Sequence, residues 1–141
     1  MISTDLVRFG FEGIFLPFNK QNEENLLRVL PKKPGAYAIR KKTMFNRLRG
    51  ETDIVYFGSA IAERGIHERI RQYYHPGLTQ FTAKRINTIL DQLPDLELTF
   101  VDCSTKSNPK NSARQIEREL LRLFEQDHLE LPPFNRQGNK N

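Results

Sequence analysis

With 141 residues the chain has the length of one compact domain, since domains run to roughly 100–200 residues. Hydrophobic residues at 38% and charged residues at 28% suffice for an ordinary core and argue against wholesale disorder. A formal charge of +5, from 22 Lys and Arg against 17 Asp and Glu, favours a polyanionic partner such as nucleic acid, while the single cysteine excludes a disulfide framework and any multi-cysteine zinc site.

No apolar run approaches the roughly 20 residues that span a bilayer. Asp5, Arg8 and Glu12 break any signal-peptide pattern, so a soluble, cytoplasmic protein is expected. The first twenty residues mix Phe9, Phe11, Ile14, Phe15, Leu16 and Phe18 with Gly10 and Gly13, which suits a short strand or hairpin. Asn22 to Leu30 reads as a short helix with Asn22 as cap, Glu23 and Glu24 in the first turn, and Pro31 beyond its end. Pro34-Gly35 marks a turn, and Ala36–Arg40 and Ile54–Phe57 read as strands.

Between those strands a long hairpin connection carries Arg40, Lys41, Lys42, Arg47 and Arg49 with no acid. A solvated surface loop and a nucleic-acid contact are both open for it. Helices follow at Gly65–Tyr74, closed by Pro76-Gly77, and at Ala83–Leu93, ended by Pro94. Leu96–Val101 alternates as a half-buried strand, and a last helix is predicted from Ser112 to Asp127 with Ser112 as cap. The order predicts a small mixed α/β (α+β) domain with a mainly antiparallel sheet.

On a wheel of about 100° per residue, Leu120, Leu121 and Phe124 fall within roughly 60° of Glu117. Glu117 is the one carboxylate inside the apolar stripe of the last helix. Unpaired burial would cost several kcal/mol, so a cation or donors should await it. Snorkelling to water or pairing with Arg114 stays open beside a functional role. Arg69 shares a helix face with Ile66, Ile70 and Tyr73, so its guanidinium can aim at phosphate or form a structural ion pair. Tyr37 and Tyr56 sit in the two hairpin strands, where tyrosines are commonly core-edge residues with a wet hydroxyl. Cys103 reads as a buried small hydrophobe.

Taken in order, these residues resemble the GIY-YIG nuclease superfamily. Gly35-Ala36-Tyr37 is similar to its first tripeptide with Ala for Ile, and Tyr56-Phe57-Gly58 to its second with Phe for Ile. Arg69 and Tyr73 match the arginine and following aromatic of the next helix, Glu117 the later helical glutamate, and Pro133-Phe134-Asn135 the closing asparagine. Ser59 stands where some members carry lysine and others serine, and the basic connection lengthens the hairpin. The resemblance covers residues 31–136. Residues 1–30, which the resemblance leaves unexplained, are expected to be an N-terminal extension packed on the domain, and the polar end at 137–141 a frayed tail.

The resemblance implies a three-stranded antiparallel sheet flanked by helices, with metal-dependent hydrolysis of DNA phosphodiester bonds on one sheet face. Glu117 would be the ligand of one Mg²⁺ or Mn²⁺, a fitting hard-oxygen donor. Arg69 would neutralise charge on the phosphoryl oxygens. Tyr37 would act as general base or water-orienting group beside Tyr56, although a phenol near its ordinary pKa of about 10 is a poor base at pH 7. Tyr73 would bind phosphate or relay a proton, and Asn135 would orient Glu117 or the helix end. Ser59, His75 and the connection cations Arg40, Lys41, Lys42, Arg47 and Arg49 are the expected DNA contacts. Specificity would then come from loops, a homodimer or a separate partner. The competing expectation is an inactive nucleic-acid-binding or protein-interaction module with the same fold.

Overall fold

The computed structural model describes residues 1–136, so the tail expected to fray at 137–141 lies outside the described residues. Strands and helices form in the order β1 (Leu16–Pro17), α1 (Glu23–Val29), β2 (Gly35–Asn46), β3 (Glu51–Ala60), α2 (Gly65–Tyr74), α3 (Phe81–Gln92), β4 (Leu96–Asp102) and α4 (Pro109–His128). Among the described residues, no helix is long and apolar enough to cross a membrane.

The sheet is antiparallel throughout, in the order β1-β4-β2-β3. It has four strands where three were expected. The additional strand is the two-residue β1, which sets Leu16 opposite Leu98 and Pro17 opposite Glu97. Pro17 has no N–H to donate and sits on the edge, where proline is tolerated. Phe18 follows it into the core, fully buried, with its N–H donating to the Leu96 carbonyl at 2.9 Å.

One face of the sheet presents Tyr37, Ile39, Tyr56, Leu96 and Leu98 to α1, α2 and α3. The other presents Ala36, Ala38, Ile54 and Phe57 to Leu120, Leu121 and Phe124 of α4, with Leu6 and Phe11 of the N-terminal segment packed alongside. Alternation along β2 sets Tyr37 and Ile39 on one face and Ala36 and Ala38 on the other, while in β3 the register shift that leaves Val55 unpaired puts Ile54 and Tyr56 on opposite faces. The small Ala36 and Ala38 let the helix approach, which is the packing reason for alanine in the first tripeptide. Segment 1–30 thus contributes buried residues to both layers.

The basic hairpin connection is a correction. β2 runs on to Asn46 and β3 starts at Glu51, with Phe45 opposite Thr52 and a register shift between Arg40 and Phe45. Only a tight turn remains, with the Arg47 N–H donating to the Gly50 carbonyl at 2.9 Å and Gly50 at a φ of 73°. Four of its five cations have partners within the chain. Arg40 donates to Glu97 at 2.9 and 3.1 Å and to Ser3, and its guanidinium carbon lies 3.4 Å from the Phe15 ring centroid. Lys41 lies 4.0 Å from Asp95. Arg47 pairs with Glu130 at 2.6 Å. Arg49 donates to the Gln126 and Asp127 carbonyls, groups that a helix C-terminus leaves unsatisfied. Lys42 is exposed.

Helix α4 begins three residues before the predicted cap. Asn108 caps it through a bond from the Asn111 N–H at 3.3 Å, and Pro109 supplies the first turn. Proline is suited to that position because its fixed φ is helical and its missing N–H would have been unpaired.

Candidate active site

Strand register builds the first half of the site. Tyr37 lies opposite Gly58 and Ile39 opposite Tyr56, so the two tyrosines are diagonal neighbours on one face, with ring centroids 6.2 Å apart. Gly58 leaves the space that Tyr37 occupies. A Cβ built there would lie 2.5 Å from both the Cζ and the hydroxyl oxygen of Tyr37. Gly35 meets a second close approach, with its notional Cβ 2.2 Å from the Val101 carbonyl oxygen on β4. The glycines of both tripeptides therefore have packing reasons.

Helix α2 adds the next residues. Ile66, Ile70 and Tyr73 form its buried face. The Tyr73 hydroxyl is hydrogen-bonded to that of Tyr37, and its ring stands edge-on to Tyr56 at 6.4 Å. Arg69, one turn earlier, is half-buried with its guanidinium carbon 5.6 Å from the Tyr73 ring centroid. It donates to Gln72 at 3.3 Å and has no carboxylate ion pair among the described residues, so the structural ion pair considered for it is not formed. Burial, with Tyr56 beside it, pushes the Tyr37 phenol far above its ordinary value, despite the opposing influence of Arg69. Tyr73 is raised likewise, by burial and then by Tyr37.

Glu117 comes from the other side of β3, on α4. It is buried, with 9% of its surface exposed, and accepts a hydrogen bond from the Ser59 hydroxyl at 2.5 Å. One donor to this carboxylate is thus Ser59 at the end of β3, a residue expected to contact DNA. Glu117 and Arg69 open onto the same cleft of about 1040 Å³, whose walls also carry Ser59, Phe81, Arg114 and Arg118. Glu68 lines it too, but its carboxylate is engaged by Arg71 at 2.7 and 2.8 Å and held at a pKa of about 2 by that bond.

Among the described residues, no three His, Cys, Asp or Glu side chains converge as in a closed metal cage. A carboxylate such as Glu117, facing an open cleft, suits a hard divalent cation such as Mg²⁺, which keeps waters and takes phosphate oxygens beside one or two carboxylates. The donor set therefore fits the expected metal.

Other expected contacts lie elsewhere. Asn135 serves β3: its amide accepts from the Phe57 N–H and donates to the Phe57 carbonyl, both at 2.9 Å. Phe134 joins it by donating from its N–H to the Val55 carbonyl. Asn135 thus acts as a strand partner for the edge beside Tyr56 rather than through Glu117 or the helix end. His75 is engaged by Glu23 at 2.5 Å instead of standing free for phosphate. The basic turn at Arg47–Gly50 lies about 30 Å along β3 from Ser59, at roughly 3.3 Å per residue. Arg114, Arg118 and Phe81 were missed as cleft residues. For the two arginines the available signal was their position at i−3 and i+1 from Glu117.

No protein-family model matches the chain, and no curated protein does. Among solved structures the chain is similar to the crystal structure of the GIY-YIG N-terminal endonuclease domain of UvrC from Thermotoga maritima bound to its catalytic magnesium. The two are 20% identical over 83% of this chain and 99% of that one, with a TM-score of 0.49.

Proposed function

We propose that the chain is a divalent-metal-dependent DNA endonuclease that hydrolyses phosphodiester bonds at the cleft between Arg69 and Glu117. The observation that carries this reading is their convergence. One guanidinium from α2, without a carboxylate ion pair among the described residues, and one buried carboxylate from α4 open onto the same cleft, and the buried cluster of Tyr37, Tyr56 and Tyr73 lies against Arg69. Sequence separation makes this hard to explain by local structure.

Glu117 would hold the metal, with Ser59 fixing its carboxylate. When bound, the metal would polarise the phosphate and stabilise the leaving oxygen. Arg69 offers a planar fork to the phosphoryl oxygens and neutralises charge that grows there. Of the two roles expected for Tyr37, orienting the attacking water is the one its protonated state leaves open. A phenol held protonated by burial is not a resting base at neutral pH. Tyr73 locks the Tyr37 hydroxyl in one direction through their shared bond.

Burial of all three tyrosines is the observation that favours the competing reading, an inactive DNA-binding or protein-interaction module of the same fold. Nicking of supercoiled plasmid with Mg²⁺ or Mn²⁺, compared with EDTA, decides between them. The proposal expects metal-dependent nicking that Arg69→Ala abolishes. Wild-type nicking in that variant, or none from the parent protein, would overturn it.

A further inference from the structure

Between α2 and α3 the chain turns at Pro76-Gly77, and the backbone there is pinned. The Gly77 N–H donates to Gln80 Oε1 at 2.7 Å, and Lys84 Nζ donates to the Leu78 carbonyl at 2.5 Å. This well-braced turn holds two large apolar side chains in water, Leu78 at 88% and Phe81 at 73% exposure. Phe81 stands in the wall of the cleft that also carries Arg69, Arg114 and Arg118, and Lys84 Nζ sits 5.6 Å from its ring centroid. An exposed ring beside a row of cations is the combination that grips nucleic acid, with cations on the phosphates and the ring on a base face.

We infer that Phe81 stacks on a base displaced from the helical stack next to the phosphate held by Arg69, so that the preferred substrate is DNA with an unstacked nucleotide at that point. This rests on the nuclease reading for the position of the phosphate. In an uninterrupted duplex both faces of each base are covered by neighbours, and the ring has no surface to meet. In a bulge, gap, branch or single strand a face is free, and the low unstacking cost favours such sites. Charge complementarity selects nucleic acid over an apolar protein partner, since cations line the cleft around the ring.

The chain contains no tryptophan, so Phe81→Trp places a single indole reporter at the site. The 141-residue chain is titrated without added metal against labelled oligonucleotides of one sequence, as uninterrupted duplex, bulged duplex and single strand. Indole emission is expected to be quenched by the bulged and single-stranded forms and to change little with duplex. Phe81→Ala is expected to lower the bulged-over-duplex affinity ratio about tenfold, Phe81→Leu similarly, and Phe81→Tyr to restore it. An unchanged ratio in Phe81→Ala, as a protein-docking patch would produce, overturns the inference while leaving the nuclease reading intact. Failure of the parent chain to bind any of these oligonucleotides overturns both.

Discussion

Gly58 and Tyr37 face one another across the β2–β3 pair so closely that a single methyl group on Gly58 would coincide with the tyrosine's ring and hydroxyl. The glycine is the mould in which the tyrosine is cast. Gly58→Ala is therefore expected to swing Tyr37 off its bond with Tyr73. It should lower stability by about 1–3 kcal/mol through overpacking and reduce nicking at least tenfold. Tyr37→Phe, which keeps the ring in place, should lower nicking while fitting the same space. Thermal unfolding and plasmid nicking on both variants check this, and a fully active Gly58→Ala would show that Tyr37 can be displaced without consequence.

Glu117→Gln preserves shape and can still accept the Ser59 hydroxyl, but removes the charge a cation requires. Metal-dependent nicking is expected to fall at least about a hundredfold, an amount equal to ~2.7 kcal/mol of barrier. The melting temperature without metal should stay level or rise, because a mostly buried carboxylate has been neutralised. A lower melting temperature with normal nicking would make Glu117 a structural residue.

Arg69→Lys keeps the charge and loses the planar fork. Cleavage is expected to drop about tenfold or more, with a smaller loss in binding measured by fluorescence anisotropy. Equal losses in both would mean that Arg69 contributes only a point charge.

Alkaline pH tests the buried tyrosines. Both Tyr37 and Tyr73 are raised, so the folded chain keeps protons that the unfolded chain releases above about pH 10. Their contribution to stability is complete below that pH and is lost as pH rises through the folded values. Each group should add a downward slope of up to about 1.4 kcal/mol per pH unit above pH 10. Urea unfolding between pH 8 and 11 should show a plateau and then this fall, and Tyr73→Phe should make the fall shallower.

Salt dependence should separate the two groups of cations. Arg114→Ser and Arg118→Ser, in the cleft, are each expected to reduce the slope of log affinity against log salt by about one. Arg47→Ser should instead destabilise the fold, by about 1–3 kcal/mol, because it abandons Glu130 and the Leu131 carbonyl. A slope unchanged by the cleft variants would move the DNA path elsewhere.

Local pattern was enough to find some of these residues. The wheel isolated Glu117 because a carboxylate inside a stripe of Leu120, Leu121 and Phe124 conflicts with the period around it. Most strands and helices could be read from their apolar spacing, with the start of the last helix moved by Pro109 and Asn108, whose capping geometry competes with that of Ser112. In the segment expected as a strand or hairpin, however, Ser3–Phe9 forms a 3-10 helix and only Leu16–Pro17 pairs as a strand. Partnerships across long sequence distances were not legible. The cations of the hairpin looked free because Asp95, Glu97 and Glu130 lie more than fifty residues away, and only folding brings them together. Ser59 looked like a DNA contact for the same reason, since Glu117 is 58 residues distant.

Phe57 must likewise wait 78 residues for Asn135. At about 5–20 residues per second of synthesis, the β3 margin of the β2–β3 hairpin stays bare for roughly 4–16 seconds after Phe57 is made. A bare margin is a template for pairing with the wrong chain. Asn135, whose side-chain amide copies the donor and acceptor of a backbone neighbour, is a stopper fitted last. Until it arrives, the nascent protein carries its tyrosines on an unfinished edge, and the hazard of making this fold is concentrated in that interval.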